Sequence, residues 1–583
     1  MQFSSVNIGF ETRAFLQGLW QKGEDYVVVN QGLKSVCGIS DFFENKEDYN
    51  ELRRFLTEEH PSVRETDRTE YGDFQTNLNL ASRIAYFLKE KGCSPQTLIE
   101  PTFGKGNFIL AALQHFPQLQ QIRGVEIFKP YVWEAKFSIL DFFLKNQDRS
   151  KPDIRLFHQN VFDFDFQKLS RELSGEILIL GNPPWVTNAK LGTLNSANLP
   201  TKSNYKNLNG LDAMTGKGNF DIGEYITLTL LRAFQNHSGQ IAFLVKNQVI
   251  KNIVFDQKAA KLRIGELKQF PIDAKKEFSA AVEASLFFCK LNQTPEYQCA
   301  QIQMLLDRKP DFHFGWQENQ FVANAEKYEA FKSFDGGCPF EWRQGLKHDC
   351  SEVMELERLN GHFVNRNGQS IQLENDLVYG ILKSSDLKGG VVSTARKFTI
   401  VTQRSVGQDT AYIQSLFPKT YSYLRSHQEI FANRKSSIYR NKPLFSIFGI
   451  GEYSFAPYKV AISGLYKTPV FTLVLPENDK PLMLDDTCYF IGFEKFSDAV
   501  IVFTLLNHPF VTGLLEAITF PDAKRTFTKD VLMRIDLQTV AGSVNFIKLA
   551  KMTSLAGLKE MPDESDFSSF CQKIKGVQQL QFF

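Results

Sequence analysis

The residues best suited to chemistry are the tetrapeptide Asn182-Pro183-Pro184-Trp185, which directly follows the apolar run 177–181. This order predicts a buried parallel strand that ends in a rigid loop, because proline fixes φ and has no backbone N–H. The Asn182 side-chain oxygen and the Pro183 carbonyl can each accept one N–H, while the Trp185 ring can stack on a flat group. The set therefore matches a planar ligand with an exocyclic NH2 group. The alternative is a structural turn with an aromatic anchor, since Asn-Pro turns are common.

A glycine-containing segment upstream predicts a nucleotide-type binding turn. Residues 97–113 follow the order strand, turn and amphipathic helix, and Gly104 and Gly106 allow sharp bending and close approach to a ligand. Glu126 ends a second apolar run 20 residues after Gly106, where a carboxylate can accept hydrogen bonds from ribose hydroxyls. A third strand-like run lies at 154–157, and the fourth carries the Asn-Pro-Pro-Trp loop. The pattern predicts an α/β fold with a mostly parallel, doubly wound sheet and a ligand site at one edge.

These motifs, in this order, resemble the gamma-class N6-adenine DNA methyltransferases, which use S-adenosylmethionine (AdoMet). The segment 71–77 resembles the F-x-T-P element of that class, with Asn77 in place of the proline. The resemblance implies a Rossmann-like catalytic domain followed by a C-terminal target-recognition domain. Many relatives carry aspartate where Asn160 stands, and a neutral carboxamide is a weaker acceptor for the cofactor amine.

The resemblance also assigns roles to individual residues. It makes Asn182 to Trp185 the catalytic loop, and we assign no residue to a metal ion. The cofactor contacts it implies are Phe74, Gln75, Thr76, Glu100, Pro101, Gly104 and Gly106 near the methionine end, Glu126 at the ribose with Ile127 next to it in the chain, and Asn160, Val161 and Phe162 around the adenine ring.

The target base is expected to meet two aromatic walls. The segment 219–225 opens an apolar helix, as in the family, and Phe278 begins a stretch where relatives carry an aromatic that faces the extruded base. We predict that a flipped adenine lies between Trp185 and Phe278, with an ordinary core phenylalanine as the alternative for Phe278. Accepting both amine hydrogens at Asn182 and Pro183 makes the nitrogen lone pair available, so catalysis needs positioning and electrostatics and no prior side-chain base.

Composition limits the class of protein. A chain of 583 residues predicts two or three domains, and a net charge of +2 means that any nucleic-acid surface is a local patch. The eight cysteines are scattered without a C-x-x-C pair, which disfavours a zinc site or a disulfide framework. The sequence has neither a signal peptide nor an uninterrupted apolar run of membrane-spanning length. We therefore expect a bacterial-type, nucleoid-associated cytoplasmic protein that does not contact membranes.

Motif order predicts a lead segment at 1–70, a catalytic domain at 71–300, a connection at 301–337 and a mixed α/β target-recognition domain at 338–583. Within the last region, cations suited to phosphate contacts cluster around a tyrosine, although a solvated charged face is the alternative. The members of this basic cluster are Arg434, Lys435, Arg440 and Lys442.

The predicted function is methylation of adenine N6 at specific sites in duplex DNA, by the modification part of a restriction–modification system. One alternative is an amino-methyltransferase that acts on RNA or on a protein glutamine, because Asn-Pro-Pro loops also serve those substrates. A second is a non-catalytic DNA-specificity subunit. Only about 70 residues precede Tyr71, too few for a fused nuclease, so we expect any cognate endonuclease to be encoded separately.

Overall fold

The computed structural model describes residues 6, 8–21, 25–57, 73–187, 221–307, 309–555, 558 and 560–581. The chain divides into two compact units, 1–321 and 322–583. Each unit has its own hydrophobic core, and the second unit has more than one.

A ten-stranded sheet forms the framework of the first unit. Its strands are β1 Thr97–Glu100, β2 Gln121–Glu126, β3 Asp153–His158, β4 Ile177–Gly181, β5 Gly239–Lys246, β6 Ile264–Ile272, β7 Ala284–Leu291, β8 Gln298–Gln301, β9 Phe312–Gln317 and β10 Gln320–Val322. They lie in the order β10-β9-β8-β6-β7-β5-β4-β1-β2-β3. Strands β1 to β5 are parallel, and β7 is antiparallel to β5 and β6. The predicted mostly parallel, doubly wound sheet is confirmed.

Helices alternate with the central strands. The helices of this unit are α1 Phe10–Gln21, α2 Tyr26–Cys37, α3 Lys46–Thr57, α4 Leu78–Glu90, α5 Asn107–His115, α6 Lys129–Lys145, α7 Phe166–Glu172, α8 Ile222–Phe234, α9 Asn247–Ala260 and α10 Ala274–Phe278. Contacts link α1, α2, α4, α5 and α6 into one group and α7, α8 and α9 into another. Two such groups match the two helix layers that cover a doubly wound sheet.

The parallel strands bring several predicted site residues to one edge. Glu100 at the end of β1 lies opposite Gly124 in β2, and Glu126 at the end of β2 lies opposite His158 in β3. On the other side of β1 lies β4, which ends at Gly181. The strand order reverses between β1 and β4, and such a switch point opens a crevice beyond the carboxyl ends of the strands.

The predicted lead segment contributes to the core of the first unit. Leu33 on α2 and Phe42 after it are fully buried in the same apolar cluster as Trp133 on α6. Lys136, also on α6, is 1% exposed, and its Nζ donates to the Phe42 carbonyl at 2.9 Å. Its ammonium lies 5.0 Å from the centre of the Trp133 ring. The N-terminal helices therefore cover α6 instead of preceding the domain as a separate segment.

The predicted connection at 301–337 also differs from the structure. It contains β9, β10 and the helix Ala325–Phe331, and the two units divide at residue 321, inside β10. The reason is that β8 pairs in parallel with β6 and antiparallel with β9, so these strands extend the catalytic sheet beyond residue 300.

Two mixed sheets and eleven helices lie in the described part of the second unit. The strands are β11 Arg343–Gln344, β12 Glu355–Leu359, β13 His362–Asn365, β14 Ser370–Ile371, β15 Val378–Leu382, β16 Gly390–Val392, β17 Lys397–Ile400, β18 Tyr458–Ser463, β19 Phe471–Val474, β20 Met483–Leu484 and β21 Cys488–Phe493. The helices are α11 Ala325–Phe331, α12 Ser351–Met354, α13 Tyr412–Leu416, α14 Pro418–Ser426, α15 Gln428–Ala432, α16 Phe496–Leu506, α17 Pro509–Ile518, α18 Lys529–Leu532, α19 Leu537–Gly542, α20 Phe546–Leu555 and α21 Glu564–Gln581. One sheet has the order β11-β21-β18-β19-β16 and the other β14-β13-β12-β17-β15-β20. The predicted mixed α/β character of this region is confirmed.

The most apolar helices of the second unit lie in its core. Val500 and Ile501 on α16 and Leu514 on α17 are fully buried in one cluster. No single described helix is long and apolar enough to cross a bilayer, and α16 and α17 meet that test only as a pair that bends by 58° at its break.

The buried Lys136 predicts a pH-dependent stability. Burial lowers the pKa of Lys136 to about 8, from its ordinary 10.5. Between these values the unfolded chain binds more protons than the folded chain, so the free energy of unfolding rises with pH in that window and is flat below it. We expect Lys136→Met to abolish a rise of about 3 kcal/mol. Calorimetric unfolding of both proteins between pH 7 and 10 measures it, with the exposed Lys89→Met as the control. Identical pH profiles for wild type and Lys136→Met would contradict this prediction.

Candidate active site

The turn between β1 and α5 approaches its neighbours too closely for a side chain. Gly104 and Gly106 have φ values of +52° and +81°, in the left-handed region that favours glycine. A Cβ at Gly104 would collide with the Gln75 side chain, and one at Gly106 would lie 2.8 Å from the Ala135 Cβ. The Gln75 Oε1 accepts the Lys105 N–H at 3.1 Å. The Gln75 side chain therefore contacts the glycine turn.

Glu126 links the two turns that follow β1 and β2. Its Oε2 accepts the Gly104 N–H at 2.9 Å and its Oε1 accepts the Phe128 N–H at 2.8 Å. A carboxylate offers about four acceptor positions, so these bonds are compatible with further hydrogen bonds from a ligand. The predicted acid at the tip of β2 therefore also shapes the glycine turn.

Glu100 is a buried carboxyl group at the crevice. It is 2% exposed, and its Oε2 has no hydrogen-bond partner among the residues that the structure describes. Burial, and then the nearby charge of Glu126, raises the pKa of Glu100 well above the ordinary range of glutamate. A Cβ added at Gly181 would lie 3.6 Å from the Glu100 Cγ, so this carboxyl adjoins the strand end that precedes Asn182. Pro101, which follows Glu100, is buried.

The Asn182 carboxamide has a defined orientation. Its Nδ2 donates to the Phe74 carbonyl at 2.8 Å and to the Thr76 Oγ1 at 3.2 Å. A carbonyl oxygen can only accept, so the nitrogen must face Phe74 and the oxygen must face away. The Asn182 Oδ1 is buried and has no hydrogen-bond partner within the described ranges. The Thr102 hydroxyl, 3.5 Å from the Asn182 main-chain oxygen, contacts the same loop.

The start of α8 packs on the two prolines of the loop. A Cβ at Gly223 would lie 3.6 Å from the Pro183 Cγ and from the Pro184 carbonyl oxygen. The Ile222 N–H donates to the Val186 carbonyl at 2.9 Å, which ties this helix to the loop. Residues 188–220, including the first two of the predicted 219–225 motif, lie outside the described residues.

The aromatic side chains form a closed cluster. The ring centres of Trp185 and Phe278 are 5.0 Å apart, with an interplanar angle of 70°. Phe74 contacts both rings, at 5.4 and 6.3 Å. The Trp185 Nε1 donates to the Leu244 carbonyl at 3.1 Å. The predicted sandwich of a base between Trp185 and Phe278 is wrong for this conformation, because the rings touch edge to face and leave no gap with parallel walls.

The predicted adenine-ring segment follows β3 at the same edge. The Asn160 Oδ1 accepts the Phe162 N–H at 3.0 Å, which makes an Asx turn. The Phe162 ring lies 5.5 Å from the Tyr225 ring, and Val161 is half-buried. Ile127 is exposed, and its carbonyl contacts His158 Nε2 at 3.0 Å. Asn160 thus shapes its own turn, a role that sequence reasoning missed.

Asn77 is a further residue that sequence reasoning missed. It is the N-cap of α4, with its side-chain oxygen accepting the Leu80 N–H at 2.8 Å. Its Nδ2 donates to Glu277 Oε2 at 3.0 Å, one residue before Phe278. An asparagine directly before an apolar helical pattern is an N-cap signal, so the cap was predictable and the bond to Glu277 was not.

The basic cluster of the second unit divides into two kinds of residue. Arg434 donates to four carbonyl oxygens, those of Phe431, His348, Ser446 and Leu444, and its guanidinium lies 3.6 Å from the centre of the Tyr439 ring. The prediction that Arg434 binds DNA is therefore wrong, because these bonds commit its donors to the fold. The other three predicted cations, Lys435, Arg440 and Lys442, are exposed.

Comparison with known proteins identifies the family. No profile of a known protein family matches the chain. The type II methyltransferase M.NspV of Nostoc sp. strain PCC 7524 is 36% identical over 478 residues, which are 82% of this chain and 98% of that protein. Among solved structures, the type IIL restriction-modification enzyme MmeI in complex with DNA has a TM-score of 0.48 at 13% identity, over 87% of this chain and 72% of MmeI. A nuclease-deletion mutant of the type ISP enzyme LlaGI has a TM-score of 0.45 at 10% identity, over 81% and 46% of the respective chains.

The sequence relative carries the assignment, since the structural similarities have TM-scores below 0.5. At 36% identity over nearly the whole of M.NspV, the chain belongs to the type II DNA methyltransferases.

Proposed function

We propose that the protein methylates adenine N6 at specific sites of duplex DNA, as the modification part of a restriction–modification system. The observation that supports this most is the buried, unpartnered Asn182 Oδ1, whose orientation is fixed by two hydrogen bonds on Nδ2. An acceptor held in this way suits an amine that must donate both of its hydrogens. We also propose that a cognate endonuclease is encoded separately.

The cofactor of DNA methyltransferases is AdoMet, and the residues at the crevice fit it. The unpartnered Glu100 Oε2 suits the ammonium of the methionine moiety, since a nearby positive charge would offset the burial of that carboxyl. Gly104 and Gly106 provide a cradle that side chains would fill. Glu126 supplies a carboxylate at the strand tip that suits ribose hydroxyls.

The chemistry of the proposed reaction is set by the weak nucleophilicity of an aromatic amine. Its lone pair is delocalised into the ring, so it is a weak nucleophile. Accepting one amine hydrogen at the Asn182 Oδ1 and the other at the Pro183 carbonyl favours a tetrahedral nitrogen with an available lone pair. The bound cofactor supplies an electrophilic methyl group on a positively charged sulfur. The methylated nitrogen is acidic and loses its proton without a dedicated base, so the enzyme contributes positioning and electrostatics.

Access to that amine requires the base to leave the duplex, because the amine is paired inside it. Phe74 links the two parts of the pocket, since its carbonyl holds Asn182 and its ring contacts Trp185 and Phe278. We place the flipped base against the edge of this closed aromatic cluster, with its amine towards Asn182.

Specific observations weigh against the alternatives. The intact glycine turn and the oriented Asn182 carboxamide are unnecessary for a non-catalytic specificity subunit. The relative M.NspV is a type II methyltransferase by name, which favours DNA over RNA or protein glutamine as the substrate. We assign target recognition to the second unit, where Lys435, Arg440 and Lys442 are available for phosphates.

The first prediction concerns the cofactor site. Glu126→Ala should weaken AdoMet binding by roughly 10- to 100-fold, because it removes a charged acceptor and releases the Gly104 and Phe128 N–H groups. DNA affinity should change little. Isothermal titration calorimetry measures both, with the exposed Glu90→Ala as the control. An unchanged AdoMet affinity in Glu126→Ala would remove Glu126 from the cofactor site.

The second prediction tests the catalytic loop. Asn182→Ala should lower the methyl-transfer rate by about 100- to 1,000-fold, as does loss of a preorganised hydrogen-bonding group at other reacting centres. AdoMet and DNA affinities should change much less. Single-turnover transfer from labelled AdoMet to unmethylated duplex DNA, followed by mass spectrometry of nucleosides, should give N6-methyladenine with the wild type. Near-normal turnover by Asn182→Ala, or a methylated cytosine as product, would contradict the proposed reaction.

The third prediction separates binding cations from structural ones. Replacing Lys435, Arg440 and Lys442 together by alanine should weaken DNA binding and flatten its salt dependence, by roughly 0.9 in the log–log slope for each lost phosphate contact. Arg434→Ala should instead lower the melting temperature of the second unit. The matched control replaces three other exposed cations of that unit, Lys388, Arg425 and Lys551. Equal losses in the test and control variants would move the DNA-binding surface elsewhere.

A further inference from the structure

We infer that Thr76 is a positioning residue for the transfer step: its hydroxyl, with the Phe74 carbonyl, holds the Asn182 carboxamide so that the oxygen faces the incoming amine. The inference rests on the proposed function and deepens it, since it assigns a role in catalysis to a side chain outside the Asn-Pro-Pro-Trp loop. The resemblance alone places Thr76 at the methionine end of the cofactor, which is a different role.

The Asn182 carboxamide has two possible orientations, which differ by a half-turn that exchanges its oxygen and its nitrogen. Both acceptors, the Phe74 carbonyl and the Thr76 Oγ1, lie on the Nδ2 side of Asn182. A half-turn of the amide would bring its oxygen against the Phe74 carbonyl, so two acceptors would face each other. The same half-turn would present N–H donors to the donors of the target amine. The Phe74 carbonyl, which can only accept, therefore disfavours the unreactive orientation, and the Thr76 hydroxyl adds a second hydrogen bond to Nδ2 in the reactive one.

Thr76 is itself held firmly enough to orient another group. It is 6% exposed, and its carbonyl accepts from the Asn107 Nδ2 at 2.7 Å. The next residue, Asn77, begins α4 as its N-cap. Because the Thr76 carbonyl and the residue after it are both held by hydrogen bonds, its hydroxyl needs little reorganisation when the amine arrives, which is the condition for a preorganised site.

The two roles for Thr76 predict different measurements. If the hydroxyl binds the cofactor, its loss raises the Kd for AdoMet. If the hydroxyl positions Asn182, its loss lowers the transfer rate at saturating AdoMet. This slowing occurs only in proteins that still carry Asn182. The dependence on Asn182 is the property that a general structural role of Thr76 would not produce.

The experiment is a double-mutant cycle on the full-length protein. Thr76→Val replaces the hydroxyl with a methyl group of similar size, Thr76→Ser keeps the hydroxyl, and Asn182→Ala removes the group that is positioned. The measurements are single-turnover transfer to a long unmethylated duplex DNA at saturating AdoMet, the Kd for AdoMet by calorimetry, and the melting temperature. Thr12→Val is the matched control, since Thr12 is a fully buried threonine on α1 whose hydroxyl has no hydrogen-bond partner in the described part of the chain.

We expect Thr76→Val to transfer the methyl group roughly 2- to 10-fold more slowly, the range for loss of one neutral hydrogen bond. The Kd for AdoMet should stay near the wild-type value, and Thr76→Ser should restore most of the rate. The double variant Thr76→Val/Asn182→Ala should be no slower than Asn182→Ala alone. Thr12→Val should match the wild type in rate.

Three results would overturn the positioning role while leaving the proposed function intact. They are a weaker AdoMet affinity of Thr76→Val with an unchanged rate, a further slowing of Asn182→Ala by Thr76→Val, and a slow Thr76→Ser. Normal turnover by Asn182→Ala would instead overturn the proposed function and this inference together. A Thr76→Val protein that fails to fold leaves Thr76→Ser as the test, because the positioning role requires that variant to fold and to transfer at near the wild-type rate.

Discussion

The hydrogen bonds of the Asn182 Nδ2 join loops that are 106 and 108 residues apart in the chain. They attach the end of β4 to the segment that precedes α4. That same segment contacts the glycine turn through Gln75, and it contacts α10, the helix that ends at Phe278, through Asn77. A shift of residues 74–77 would therefore change the glycine turn, the Asn182 carboxamide and the aromatic cluster at once. The site depends on this connection more than on any single loop.

Two buried oxygen atoms of the candidate site can accept hydrogen bonds from ligands. The Glu100 Oε2 and the Asn182 Oδ1 have no hydrogen-bond partners within the described residues. An unsatisfied buried polar group costs about 1–3 kcal/mol, more when it is charged, so folding alone would not favour either atom. A cofactor ammonium and a target amine would supply the missing partners. On the proposed function, binding of the cofactor and of the target base would offset that cost.

Local motifs predicted the sheet and the identity of the loops, whereas contacts between distant segments decided the geometry. The mostly parallel, doubly wound sheet followed from short runs of residues in the order strand, turn and helix, and the structure shows the Glu126 carboxylate bonded to the glycine turn at its edge. The aromatic sandwich failed because ring orientation depends on packing, which put Trp185 and Phe278 in contact. Arg434 failed because its charge does not reveal the carbonyl groups that surround it. The bonds of Asn182 to residues 74–76 had no sequence signal at all.

The charges of the second unit explain why a nearly neutral chain can still bind a polyanion. Arg396 pairs with Asp386, Lys397 with Glu357 and Arg525 with Asp486, so these cations are largely compensated by acids of the same unit. Compensated pairs add little to the field that attracts a phosphate backbone. Exposed cations such as Lys435 and Lys442 therefore contribute more to that field than their share of the total charge. The overall charge of +2 is the sum over 67 basic and 65 acidic residues, and it is compatible with a local cationic surface.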